Sequence, residues 1–183
     1  IPKRDWSSDV CSSDLDPRPG FIDLVLEVRA AQCTLVPVAP GEITSQAGWP
    51  VSTSREWLGA IVRRLQSEGV RVSVFVDPAD EPVQWAASLG ADRIELYTEP
   101  FAKAFAKGPQ AGRESFERYA RAATLAASLG LGVNAGHDLD LDNLVLFRSL
   151  PRLDEVSIGH AIVSRALWVG LDRVVREYLE VLR

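Results

Sequence analysis

Methionine is absent from all 183 residues, position 1 included, so the chain is expected not to start where translation starts. Cysteine is nearly absent as well. Cys11 and Cys33 are too few for a disulfide framework or a thiolate zinc site, and so few thiols make a reduced, cytoplasmic setting the default. No apolar run approaches the ~18 residues of a membrane span, which argues against a membrane protein. Basic excess is missing too: 20 Lys and Arg face 25 Asp and Glu, a net charge of −5. This balance argues against sequence-independent nucleic-acid binding, which needs a clustered Lys/Arg surface. There is no Walker loop, no Gly-x-Gly-x-x-Gly and no Gly-x-Ser-x-Gly. What remains is a chain 46% hydrophobic and 25% charged, a balance expected of one soluble globular domain with a real core.

Ile1 to Leu15 stands apart. It repeats Ser-Ser-Asp at 7–9 and 12–14 without helical or strand periodicity. It lacks the apolar core of a signal peptide, and it resembles translated sequencing adapter. Residues 1–15 are therefore expected to be an extraneous or disordered leader that does not pack, with the folded domain running from 16 to 183.

From Asp16 onward, helical and strand patterns alternate. Helices are expected over Phe21–Val28, Ser54–Glu68, Pro82–Leu89, Arg113–Leu129, Asp142–Ser149 and Ile162–Leu182, the last interrupted near Gly170. Strands are expected at Cys33–Val38, Val70–Val76, Arg93–Thr98, Leu131–Asn134 and Glu155–Ile158. The segment Ala-Ala-Ser-Leu-Gly occurs at 86–90 and again at 126–130, each time leading straight into a strand. Helix, terminating glycine, then strand, repeated, specifies parallel strands joined by crossover helices. Five such strands fit either a doubly wound open sheet or part of an eight-stranded barrel. Trp57 and Trp85 lie on helices and are expected in the core.

In both architectures ligands bind at the carboxyl ends of the strands. The chain has two histidines, and both sit at such ends: Gly136-His137 after Val133-Asn134-Ala135, and Gly159-His160 after Val156-Ser157-Ile158. Glu95 falls inside a strand, where a carboxylate is costly unless it is paired or functional. Asn134 is a further polar group near the same rim. A structural role suits any one of these residues. Together they favour a catalytic rim, with histidine moving protons and a carboxylate stabilising a developing cation. Gly159-His160 opens a helix, whose first N–H groups suit a phosphate. Asp138, Asp140 and Asp142 resemble a calcium loop, but its glycine and glutamate positions hold Asn143 and Ser149, so helix capping is the expected role.

Four blocks carry a more specific signal. Leu35-Val36-Pro37, Gly41-Glu42-Ile43-Thr44-Ser45, Val133-Asn134-Ala135-Gly136-His137 and Ser157-Ile158-Gly159-His160-Ala161 resemble the pyridoxine 5'-phosphate synthase family. The resemblance runs from Asp16 to the end. It implies a (β/α)8 TIM barrel, here incomplete with roughly strands 4 to 8, and a homo-oligomer, an octamer in the family. It implies no organic cofactor and no metal. The implied reaction condenses 3-amino-2-oxopropyl phosphate with 1-deoxy-D-xylulose 5-phosphate, releasing phosphate and water as a pyridine ring closes. By resemblance His137 donates a proton and Glu95 stabilises a charged intermediate. Thr44 contacts deoxyxylulose phosphate, while Asp138, Gly159 and His160 hold the aminoketone phosphate. The family's first three strands, with an acid/base histidine, a neighbouring arginine and a glutamate base, have no counterpart after Asp16, so the chain alone is expected to be inactive. The rival reading is a non-catalytic, five-stranded doubly wound module that binds phosphate or a partner, and strand order distinguishes the two.

Overall fold

The computed structural model describes residues 11–15, 17–38 and 45–183. Six strands make one sheet: β1 (Cys11–Leu15), β2 (Gln32–Leu35), β3 (Arg71–Val76), β4 (Arg93–Tyr97), β5 (Gly132–Gly136) and β6 (Leu153–Ser157). Neighbours in space are neighbours in sequence throughout, and every pairing is parallel. A doubly wound sheet must reverse its strand order; this one never does, which removes the doubly wound alternative and matches consecutive strands of a (β/α)8 barrel. The sheet is open, with β1 and β6 at its edges.

The sixth strand comes from the supposed leader. Residues 11–15 pair with β2 through Cys11↔Gln32, Ser12↔Cys33 and Leu15↔Leu35, with an irregularity between Ser12 and Leu15. The expectation that this stretch stays unpacked fails for a physical reason. All four residues of β2 are buried, and a buried strand edge needs partners for its N–H and C=O groups.

Eight helices are described: α1 (Pro19–Glu27), α2 (Arg55–Ser67), α3 (Asp80–Ser88), α4 (Glu99–Ala106), α5 (Pro109–Ser128), α6 (Leu141–Phe147), α7 (His160–Val169) and α8 (Leu171–Val181). The repeated Ala-Ala-Ser-Leu-Gly closes α3 and α5 with Gly90 at φ 78° and Gly130 at φ 81°. Those are left-handed values that glycine adopts without penalty, and they turn the chain back into β4 and β5. Helix α4 falls where the sequence reading has only a loop between Thr98 and Arg113. Proline is tolerated in a first turn, whose N–H groups have no helical partner, and both α4 and α5 carry one there. No described helix is long and apolar enough to cross a membrane.

The two faces of the sheet differ. Cys33, Leu35, Val72, Val74, Val76, Ile94, Leu96, Val133 and Ala135 turn toward the helices and belong to the main core. There they meet Leu58, Val62 and Leu65 of α2, with Trp85 of α3. Trp85 is core as expected; Trp57 is not, being 47% exposed with its ring edge-on to Trp49 at 6.1 Å. Leu58, Val62 and Leu65 already fill the buried face of α2, so the residue preceding Leu58 is turned outward. The opposite, concave face carries buried Thr34, Ser73, Glu95 and Asn134, together with a separate apolar cluster of Val36, Phe75 and Tyr97.

Helices α4, α5 and α6 meet in an aromatic cluster. Phe101 lies 4.9 Å from the Phe147 ring and 5.9 Å from Tyr119, and all three are fully buried. Tyr119 also donates to the Tyr97 carbonyl at 2.8 Å, tying α5 to the end of β4. Phe101→Ala is expected to lower stability by about 3–5 kcal/mol through the cavity it leaves, read from the midpoint and slope of urea unfolding.

Candidate active site

Glu95 is the fixed point. It sits in the middle of β4 at 2% exposure, on the concave face. Its Oε2 accepts from Thr34 Oγ1 of β2 at 3.0 Å and from Ser157 Oγ of β6 at 3.4 Å. Its Oε1 occupies the space above Gly136, where an added Cβ would lie 2.3 Å away. Strands β2, β4, β5 and β6 therefore converge on one carboxyl group.

His137 follows directly from β5. Its ring packs in a three-ring cluster, 5.0 Å from Phe75 and 5.4 Å from Tyr97, which are themselves 5.5 Å apart. Its backbone has φ 82° and that of Asp138 has φ 57°, a conformation costing about 1–3 kcal/mol per non-glycine residue unless neighbours enforce it. Beyond the bend, Asp140 caps α6 by accepting from the N–H groups of Asp142 and Asn143 at 3.0 and 2.8 Å. Asn143 completes a capping box. The acidic run is thus a helix start, as its spacing suggests.

The rim on the α4 side is a short chain of charge-assisted bonds. Tyr97 donates its hydroxyl to Glu99 at 2.5 Å, and Lys103 pairs with Glu99 at 2.6 Å. Lys103 and Tyr97 together hold the Glu99 carboxyl below the usual carboxylate range, while burial, with Glu99 as acceptor, pushes the Tyr97 phenol up. On the β6 side, Gly159 and His160 open α7.

These parts share one cleft of about 1120 Å³ at the carboxyl ends of the strands, lined by Glu95, Lys103, His137, Asp138, Ser157, Gly159 and His160 among others. Five residues singled out from sequence (Glu95, His137, Asp138, Gly159 and His160) are thereby brought together. Thr44 lies outside the described residues. Asn134 does not face the cleft: it accepts from Arg93 Nη1 at 2.9 Å and donates to Glu155 at 3.4 Å. Those bonds belong to a network with Gln32 and Asp154 that fills the concave face. Sequence reasoning missed Lys103, whose helix was not anticipated, and Thr34 and Ser157, whose hydroxyls gain meaning only once strand register sets them beside Glu95. Gly136→Ala is expected to destabilise the chain by about 1–3 kcal/mol through overpacking, because the new methyl meets Glu95 Oε1; the midpoint of chemical unfolding reads it.

The model of the family described as pyridoxal phosphate biosynthesis protein PdxJ matches residues 12–183. The pyridoxine 5'-phosphate synthase of Flavobacterium johnsoniae is 50% identical over 169 residues, 92% of this chain and 70% of that protein. That of Bacteroides thetaiotaomicron is 50% identical over 168 residues, 91% of this chain and 70% of that one. This chain therefore spans about 70% of the length of these relatives. Among solved structures, the one titled "Native KDPGal structure" superposes with TM-score 0.57 at 14% identity, over 90% of this chain and 66% of that one. A xylose isomerase domain protein from Planctomyces limnophilus gives TM-score 0.53 at 12% identity, over 88% and 66%. At such identities these two speak to the fold alone.

Proposed function

The chain belongs to the pyridoxal phosphate biosynthesis protein PdxJ family, and from that premise we propose that its cleft carries the chemistry of pyridoxine 5'-phosphate synthase. The reaction condenses 3-amino-2-oxopropyl phosphate with 1-deoxy-D-xylulose 5-phosphate, with loss of phosphate and water. The observation that carries this reading is the single cleft lined by Glu95, His137, Asp138, Gly159 and His160.

Each residue has a role its surroundings support. The N-terminus of α7 offers backbone N–H groups and the positive end of a helix dipole to a phosphate, and His160 stands in its first turn. Asp138 contacts the same substrate through its backbone. Glu95 offers a buried carboxyl oxygen toward the cleft, suited to the cationic nitrogen that forms when an amine condenses with a ketone. Water is poorly placed to screen it at 2% exposure. His137, packed against Phe75 and Tyr97, donates the proton that a departing oxygen needs. Thr44, outside the described residues, is assigned to deoxyxylulose phosphate by the family resemblance alone. A cytoplasmic homo-oligomer, an octamer, is part of the proposal, supported by the family resemblance and by scarce thiols.

The chain's two histidines both have assignments, so nothing in it serves as the acid/base histidine expected on an earlier strand. Incubated with both phosphates, the chain alone should form no pyridoxine 5'-phosphate. A chimera that places the amino-terminal part of the Flavobacterium relative ahead of residue 12 should turn over. His137→Ala in that chimera should reduce turnover by about 10²–10⁴-fold, the usual worth of a positioned proton donor. Unchanged turnover by the variant, or turnover by the chain alone, contradicts the assignment.

A further inference from the structure

Three consecutive carbonyls lead out of β5 through the bend that carries His137, and buried side chains from two helix starts hold all three. Thr98 Oγ1 donates to the Gly136 carbonyl at 2.7 Å and also lies against the His137 carbonyl. The Thr98 N–H donates to the same Gly136 oxygen at 2.9 Å. On the far side, Asn143 Nδ2 donates to the Asp138 carbonyl at 2.9 Å. Thr98 is fully buried and Asn143 is 3% exposed.

Two further observations give these bonds a purpose. Both His137 and Asp138 have positive φ, which side-chain-bearing residues hold only when their surroundings impose it. Thr98 also occupies the N-cap of α4, where a threonine hydroxyl ordinarily accepts from an N–H of the following turn. Here it makes no such bond. Its hydroxyl serves the bend after β5 instead of its own helix.

We propose that Thr98 is a positioning residue for His137, with Asn143 securing the other side of the bend. Tyr97 packs against the imidazole, and its neighbour Thr98 anchors the backbone that presents the ring, so the junction of β4 and α4 controls His137 through adjacent residues. The catalytic consequence rests on His137 being the proton donor; the positioning itself does not.

The experiment uses imidazole NMR on the whole chain, whose two histidines give two sets of signals, with His160 as internal reference. Thr98→Val replaces the donor with a methyl group. The His137 ring and Cα signals should shift or broaden in that variant while those of His160 stay in place, and Thr98→Ser should restore the parent His137 signals. Unchanged His137 signals in Thr98→Val overturn the proposal. Equal displacement of both histidines, or a serine variant as displaced as the valine one, does so too. If Thr98→Val does not fold, Thr98→Ala against Thr98→Ser, which differ by the oxygen alone, is read by the same criteria. None of these signals depends on turnover, so failure here and failure of the His137 assignment are separately visible.

Discussion

Everything in the site is arranged around one carboxyl group inside a parallel sheet. A polar group at 2% exposure is tolerable only when its lone pairs are met, and Glu95 meets that demand across strands. Thr34 reaches it from β2 and Ser157 from β6, while β5 contributes a glycine where any side chain would collide with it. Sheet curvature, strand register and the missing Cβ at Gly136 are one constraint seen from three strands. The same glycine ends β5 and delivers the chain to His137, so fixing the carboxyl group also fixes where the imidazole emerges.

Polar residues below Glu95 extend the logic. Arg93, on the same strand and the same face, binds Asn134 at 2.9 Å and lies 3.4 Å from Asp154. Gln32 donates to Glu155 at 2.9 Å. These contacts put paired polar groups on the concave face where an ordinary barrel interior would be branched and apolar, though the buried Ser73 hydroxyl beside them has no partner among the described residues. Above Glu95 the character changes again, to Val36, Phe75 and Tyr97, and this apolar layer forms the walls against which His137 rests. The concave face thus runs from ionic to singly polar to aromatic as it approaches the cleft.

How much of this was legible beforehand divides by physical range. The helix–glycine–strand cadence is local, and it placed five strands and most helices correctly. The positions of Glu95 within a strand and of His137, Asp138, Gly159 and His160 just past strand ends follow from that cadence, with the family resemblance adding roles. Features that depend on contacts distant in sequence were not legible. Residues 11–15 lack periodicity, and their pairing with β2 is a contact with a strand distant from them in sequence. Trp57 looks apolar and helical but faces outward, since three neighbours already fill the inward face of α2. Helix α4 falls in a stretch read as loop, and with it Lys103 and the Tyr97–Glu99 bond went unnoticed. Asn134 sits close to His137 in sequence, yet Arg93 claims it.

The most direct measurement is a crystal structure of the chain soaked with 3-amino-2-oxopropyl phosphate. The account predicts the phosphate against the backbone N–H groups of Gly159 and His160 at the start of α7, with the aminoketone end directed between Glu95 and His137. Phosphate bound instead beside Lys103 or on the outer helices, with the carbon chain remote from Glu95, would contradict it.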